Sequence, residues 1–218
     1  MSRPVILVVG AGPGVSGSVA RRFAAEGYDV GLLGVDDEVL ADLVGDLEPR
    51  GADVRPVKVD ITDTAAAGAA VRQVGEQWGR IDVLHFNPSA YRRKDPLDLT
   101  VPELLEDVAL GVGALLTVVQ AARPFMSSGG RVSVTGSMAA DEPSHEAASL
   151  GVQKAGVRNL VHSLDATLAP DGIRAVSVTV RGALSRAGAF TPERVAEVIW
   201  SAVAREDAQW SSEVPYDG

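Results

Sequence analysis

A doubly wound α/β fold, with a mainly parallel sheet of about seven strands and helices on both faces, is predicted for this 218-residue chain by three observations. Apolar runs and helical patterns alternate almost from end to end, the signature of strand–helix–strand units. The runs are short, continuously apolar and rich in β-branched residues, as in strands buried on both sides of a parallel sheet. A glycine-rich loop joins the first run to the first helical pattern.

The first strand is Val5–Val9, Val-Ile-Leu-Val-Val, and its helix covers Val15–Glu26. Strand Val30–Leu33 leads to a helix over Glu38–Leu47, and strand Val54–Val59 to one over Thr64–Trp78. Val83–Phe86 precedes a long helical pattern, Pro102–Met126. Arg131–Thr135 precedes a helix over Ser149–Leu168, where Leu150, Val157, Leu160, Val161, Leu164 and Leu168 share one helical stripe. Strand Ala175–Val180 is followed by a helix over Pro192–Arg205, opened by the cap residue Thr191 and a proline at the first helical position. A last strand lies near Glu213–Tyr216. No internal repeat, low-complexity tract or linker divides the chain, so residues 1–218 read as a single domain.

Composition narrows the chemistry. The absence of cysteine excludes disulfides, thiolate metal sites and a cysteine nucleophile. The three histidines, His85, His145 and His162, are too scattered for a metal centre, and no metal is expected. With 20 basic and 29 acidic side chains the net charge is -9, which opposes binding to nucleic acid. The one basic run, Arg92-Arg93-Lys94, reads as a solvated loop. The opening apolar stretch is too short for a signal peptide, and no apolar stretch approaches the roughly 18 residues that span a bilayer. The expectation is a soluble, cytoplasmic protein with no membrane partner.

Ligands of such sheets bind beyond the carboxyl ends of the strands, which directs attention to the loops after Val9, Leu33, Val59, Phe86, Thr135 and Val180. The first reads Gly10-Ala11-Gly12-Pro13-Gly14-Val15-Ser16-Gly17. Gly12, Gly14 and Gly17 satisfy G-x-G-x-x-G between a strand and a helix, where bare backbone lets a pyrophosphate rest on the helix N-terminus. The bland reading is a tight turn and close helix–sheet packing. After the second strand, Asp36 and Asp37 have the chemistry to bind both ribose hydroxyls and repel a 2′-phosphate. Neither loop offers an arginine or lysine to a 2′-phosphate, so NAD is favoured over NADP. As helix caps the two aspartates would serve equally well.

The glycine loop, Asp60 after the third strand, Asn87 after the fourth, and a later serine–lysine pair together resemble the short-chain dehydrogenase/reductase family, over essentially the whole chain. The resemblance implies a Rossmann-type domain that binds NAD or NADP and a small-molecule substrate. Its phosphate turn corresponds to Gly10, Gly14 and Ser16, its adenine-contacting segment to Val59-Asp60-Ile61-Thr62, and its Asn-Ala-Gly turn to Asn87-Pro88-Ser89-Ala90. Members of the family associate as dimers or tetramers through their fourth and fifth helices, which implies a homo-oligomer here.

The family's chemistry rests on an asparagine, a serine, a tyrosine and a lysine. Ser137 matches the serine, which holds the substrate carbonyl, and Lys154 the lysine, which binds the nicotinamide ribose. Four residues before Lys154, where the tyrosine belongs, stands Leu150, and the asparagine's place is Leu110. Leucine cannot exchange a proton. His145, in the loop before the Lys154 helix, and Tyr91, four residues beyond Asn87, are the candidates to replace the tyrosine as acid or base, although either could be plain surface. His85 falls within a strand and reads as core, and His162 lies in mid-helix. The segment Arg181–Phe190 is too short for the helical substrate lid common in relatives, and Arg181 stands where it could meet an anionic substrate. Three functions follow: an atypical oxidoreductase acting on a small carbonyl, alcohol or imine; a non-redox cyclase, isomerase or lyase on the same fold; or a cofactor-binding protein without catalysis.

Overall fold

A computed structural model of the chain describes residues 3–218. Its strands are β1 (Val5–Val9), β2 (Asp29–Gly34), β3 (Val54–Lys58), β4 (Val83–Phe86), β5 (Arg131–Ser137), β6 (Arg174–Val180) and β7 (Glu213–Tyr216). They form one sheet in the order β3-β2-β1-β4-β5-β6-β7. Every pairing is parallel, so the sheet is more uniform than the mainly parallel one expected. The strand order reverses between β1 and β4, which opens a crevice at their carboxyl ends.

Helices α1 (Val15–Ala25), α2 (Asp37–Leu47) and α7 (Pro192–Val203) pack with Ile6, Val8, Leu32, Val178 and their neighbours in one apolar cluster. Helices α3 (Thr64–Trp78), α4 (Val101–Val108), α5 (Ala114–Ala122) and α6 (Ala148–Leu168) lie on the other face, where Leu7, Val9, Phe86, Leu115 and Val134 form the second cluster. Central strands such as β1 have no exposed residue because each face is covered.

Local signals explain where the helices begin. Asp63 accepts from Ala65 and Ala66 N–H to start α3, and Gly79, at φ +68°, ends it. Thr100 and Glu103 form a reciprocal capping box at the start of α4, and Thr191 caps α7 ahead of Pro192.

The fourth helical pattern departs from expectation in two ways. It is not one regular helix over Pro102–Met126, because a π-helical turn, Ala109–Gly113, separates α4 from α5 and a 3-10 turn, Arg123–Phe125, follows α5. Its length also corrects the expectation that no stretch could reach across a bilayer, since Val101–Phe125 is long and apolar enough by length and composition. The apolarity has a core explanation: Leu115, Val118, Val119 and Ala122 are buried where α5 meets α3.

Both edge strands contain a proline. In β3, Asp53 and Val59 make the backbone bonds to β2, so Pro56 turns its ring nitrogen outward. In β7 the carbonyls of Ser212 and Tyr216 accept from Ser177 and Arg181, which turns Pro215 outward as well.

Candidate functional site

The loop after β1 is bent back onto β2, with Gly10 and Ala11 N–H both donating to the Leu33 carbonyl at 3.0 and 2.7 Å. Gly10 adopts φ +79°, and a Cβ there would lie 2.7 Å from Pro88 Cγ, so this loop and the loop after β4 touch. Ser16 Oγ donates to the Gly10 carbonyl at 2.6 Å and ties the first turn of α1 to the strand end. A Cβ on Gly17 would stand 2.8 Å from the Gly12 carbonyl. Gly14 differs, because a Cβ there would meet nothing within 4 Å. Gly10 and Gly17 therefore serve close packing, while Gly14 leaves open backbone at the N-terminus of α1. The first-turn N–H groups of a helix have no partner within it, and Gly14 caps α1 without any side-chain bond. The surroundings fit an anionic pyrophosphate.

Asp36 is the N-cap of α2: one carboxylate oxygen accepts from Glu38 and Val39 N–H at 2.9 and 3.2 Å. Asp37 pairs with Lys58 at 2.5 Å. Lys58 ends β3 and so brings to this rim a cation that neither loop contains. Asp60 accepts from the Thr62 hydroxyl and N–H at 2.7 and 2.9 Å, bonds that hold its carboxyl below the usual range. Asn87 N–H donates to the Val9 carbonyl at 3.1 Å, which sets its backbone beside the end of β1.

On the other side of the crevice, Ser137 ends β5 and its Oγ accepts from Ala139 N–H at 3.2 Å. Lys154 reaches the same strand end from α6: Nζ donates to the Thr135 carbonyl at 2.8 Å, with the residue only 6% exposed. Burial pushes its ammonium pKa down to about 8. Leu150 is half-buried one turn earlier on α6. Leu110 sits in the π turn, packed against the second core cluster.

The remaining candidates lie apart from this pair. His145 is exposed and lines a groove of about 610 Å³ with Leu99, Val101, Leu104, Ala148 and Val152. Tyr91 is 70% exposed. Among the described residues, no hydrogen bond joins either to Ser137 or Lys154. Arg181 is exposed and pairs with Asp217 at 3.3 Å. His85 is core, as expected: it is fully buried, with Nδ1 2.9 Å from Ser133 Oγ. Burial first, and the Lys154 charge second, lower its pKa to about 3 and keep it neutral. His162, in α6, has Nδ1 2.8 Å from Ser212 Oγ and Nε2 3.7 Å from Glu213. The sequence reading omitted Lys58, whose reach crosses strands, and Gln153, which is buried immediately before Lys154.

The glycine loop at the β1–α1 turn and the serine–lysine pair at the end of β5 thus stand on one seven-stranded parallel sheet. The short chain dehydrogenase family model matches residues 4–190, and the chain belongs to that family. It is 34% identical over 174 residues to "Oxidoreductase UcpA" of Salmonella typhimurium, covering 77% of this chain and 65% of that protein. The match thus spans about two thirds of that relative's length. A meso-2,3-butanediol dehydrogenase of Serratia marcescens is 27% identical over 98% of this chain and 93% of its own. A Burkholderia cenocepacia short chain dehydrogenase, solved in complex with NADP, superposes with a TM-score of 0.91 at 24% identity, covering 99% of this chain and 96% of that one.

Proposed function

We propose that this protein is an NAD(P)-dependent oxidoreductase acting on a small carbonyl, alcohol or imine. The observation that carries the reading is the pairing, across one crevice, of an open helix N-terminus at Gly14 with a buried lysine at the end of β5. Gly12, Gly14 and the first turn of α1 would hold the pyrophosphate, Asp36 the adenosine ribose, Asp60 and its neighbours the adenine edge, and Lys154 the second ribose. The nicotinamide, when bound, supplies or accepts hydride.

Ser137 holds the substrate. Its oxygen accepts from Ala139, and its own proton has no acceptor among the described residues, so the hydroxyl can bond a substrate oxygen or nitrogen. Leu150 offers the substrate no proton. An imine suits this site better than a ketone, because it can arrive already protonated. Arg181–Phe190 forms no helix over the crevice, and Leu184 within it is 55% exposed, so solvent has access to the substrate side. His145 and Tyr91 are the side chains left to assist from neighbouring loops.

Asp36 and the Asp37–Lys58 pair set cofactor choice. Two carboxylates against one cation disfavour a 2′-phosphate, which supports NAD. Val101, Leu105 and Val152, exposed at 68, 60 and 49%, provide α4 and α6 with an apolar face suited to a homo-oligomer. The absence of a proton donor at Leu150 also supports a second reading, a non-redox reaction on the same fold.

Calorimetric titration with NAD, NADH, NADP and NADPH tests the first reading. Binding of one oxidised and reduced pair is expected, followed by a change in nicotinamide absorbance with small imines or carbonyls. Substrate turnover without such a change would replace it with the non-redox reading, and no binding by any of the four would remove the cofactor altogether.

A further inference from the structure

Gln153 is a fully buried polar side chain near the crevice. It has no exposed surface and directly precedes Lys154. Its carboxamide is fully bonded: Oε1 accepts from Ala90 N–H at 2.9 Å, while Nε2 donates to the Ala90 carbonyl at 3.1 Å and the Ser149 carbonyl at 3.2 Å. Bonding both backbone groups of one residue is what a neighbouring strand would do. Here a side chain does it for Ala90, three residues beyond Asn87 in a loop that has no strand partner of its own.

The opposite side of the same carboxamide rests on the π turn. A Cβ at Gly111 would lie 2.4 Å from Gln153 Oε1 and 3.0 Å from its Cδ, so the glutamine fits only because residue 111 has no side chain. Gly111 is buried in the middle of Ala109–Gly113. The irregular turn, the glycine and the glutamine thus form one arrangement, directed at the backbone of Ala90. The same turn places Leu110 in the apolar cluster, leaving the carboxamide to come from α6.

We propose that Gln153 is a positioning residue that fixes the Asn87–Ala90 loop against α6 at the level of Lys154, and so shapes the wall on which the nicotinamide half of the dinucleotide rests. The assignment rests on the dinucleotide reading above. The Pro88 ring of this loop also abuts Gly10, so a loop held at Ala90 is supported at both ends. Without the carboxamide, the N–H and carbonyl of half-buried Ala90 lose their partners, and the loop must shift to satisfy them with water.

The test compares two probes that share the adenosine half. ADP reaches only the glycine-loop side of the crevice, whereas NADH and NADPH also reach the wall beside Lys154. Gln153→Leu should weaken whichever of NADH or NADPH the parent protein binds by about tenfold, the loss of one or two hydrogen bonds, with ADP affinity unchanged. Hydrogen exchange at the Ala90 amide should quicken in parallel. Gly111→Ala is the second variant, since it leaves the glutamine intact but displaces it. Glycine to alanine within a helix ordinarily stabilises, so the same selective loss of dinucleotide affinity there would have no propensity explanation. If Gln153→Leu does not fold, Gly111→Ala decides. Equal losses for ADP and dinucleotide would overturn the proposal in favour of a general packing role, and so would faster Ala90 exchange with unchanged dinucleotide affinity. A parent protein that binds neither probe would defeat the dinucleotide reading and this inference with it, an outcome visible before any variant is made.

Discussion

The two sides of the crevice are built differently. On the β1–β3 side the candidate residues are backbone or exposed carboxylates: Gly10, Gly12 and Gly14 in the loop, with Asp36 and Asp60 at strand ends, each aspartate accepting local bonds that brace its own turn. On the β4–β6 side buried side chains join distant segments: Lys154 bonds the Thr135 carbonyl, Gln153 bonds Ala90, and Ser149 bonds the buried Asp107, which Arg92 also holds. On the first side the two aspartates bond mainly within their own turns. The second is a set of mutually dependent contacts.

Four variants would break or sharpen that contrast. The largest effect is expected from Leu150→Tyr, which puts an acid one turn from Lys154. If the reaction side lacks only a proton donor, ketone reduction with the bound cofactor should rise by about a hundredfold or more, the usual range for a positioned acid. Steady-state rates on small ketones would show it, and unchanged rates would mean that the difference extends beyond this position.

Lys154→Met follows. Dinucleotide affinity should fall by about 1–3 kcal/mol, as for loss of a charge-assisted hydrogen bond, measured by calorimetry. Stability should move the other way. Burial lowers the lysine pKa from 10.5 to about 8, so below pH 8 the folded chain bears the cost of a buried ammonium. Between 8 and 10.5 the unfolded chain binds more protons, and that cost fades as pH rises. Urea titrations should show the parent gaining on Lys154→Met through this window.

His85 acts with the same pH sense in a more acid window. It is neutral when folded, with its pKa lowered from 6.5 to about 3. The stability this represents is fully present above pH 6.5 and is lost as pH falls toward 3, at about 1.4 kcal/mol per pH unit for one proton. His85→Gln should remove that component of acid sensitivity in the same titrations. The smallest effect is on the cofactor side: Asp36→Ala should cost about 1 kcal/mol through loss of the α2 cap. It should also narrow the difference between NAD and NADP affinities, and an unchanged ratio would assign the residue to capping alone.

The same contrast decided what could be read from sequence. Strands β1, β4 and β7 have the expected limits, β2 is one residue longer at each end, and the others differ by one or two residues at one end, because buried apolar runs and caps such as Asp63 and Thr191 are local signals. The glycine loop was legible for the same reason. The π turn was not, since Ala-Leu-Gly-Val-Gly has nothing in its pattern to separate an extra residue from a regular turn. Gln153 did leave a trace: it lies four residues before Val157 and eight before Val161, on the buried stripe of α6, where an amide among apolar side chains signals a partner. Its partner, 63 positions away in sequence, was beyond any local pattern. His145 and Tyr91 were placed on neighbouring loops by sequence, but loop proximity did not reveal that both side chains are exposed.

Pro56 and Pro215 carry a consequence for how copies of this molecule meet. An all-parallel sheet ends in two strands whose outer backbone is a template for further strands. Here each template has a gap, because the proline turned outward has no hydrogen to donate. A strand laid against either border would leave one of its own carbonyls unanswered. The chain therefore discourages growth by strand addition at both borders of the sheet, and its exposed apolar residues Val101, Leu105 and Val152 lie on the helical flanks instead.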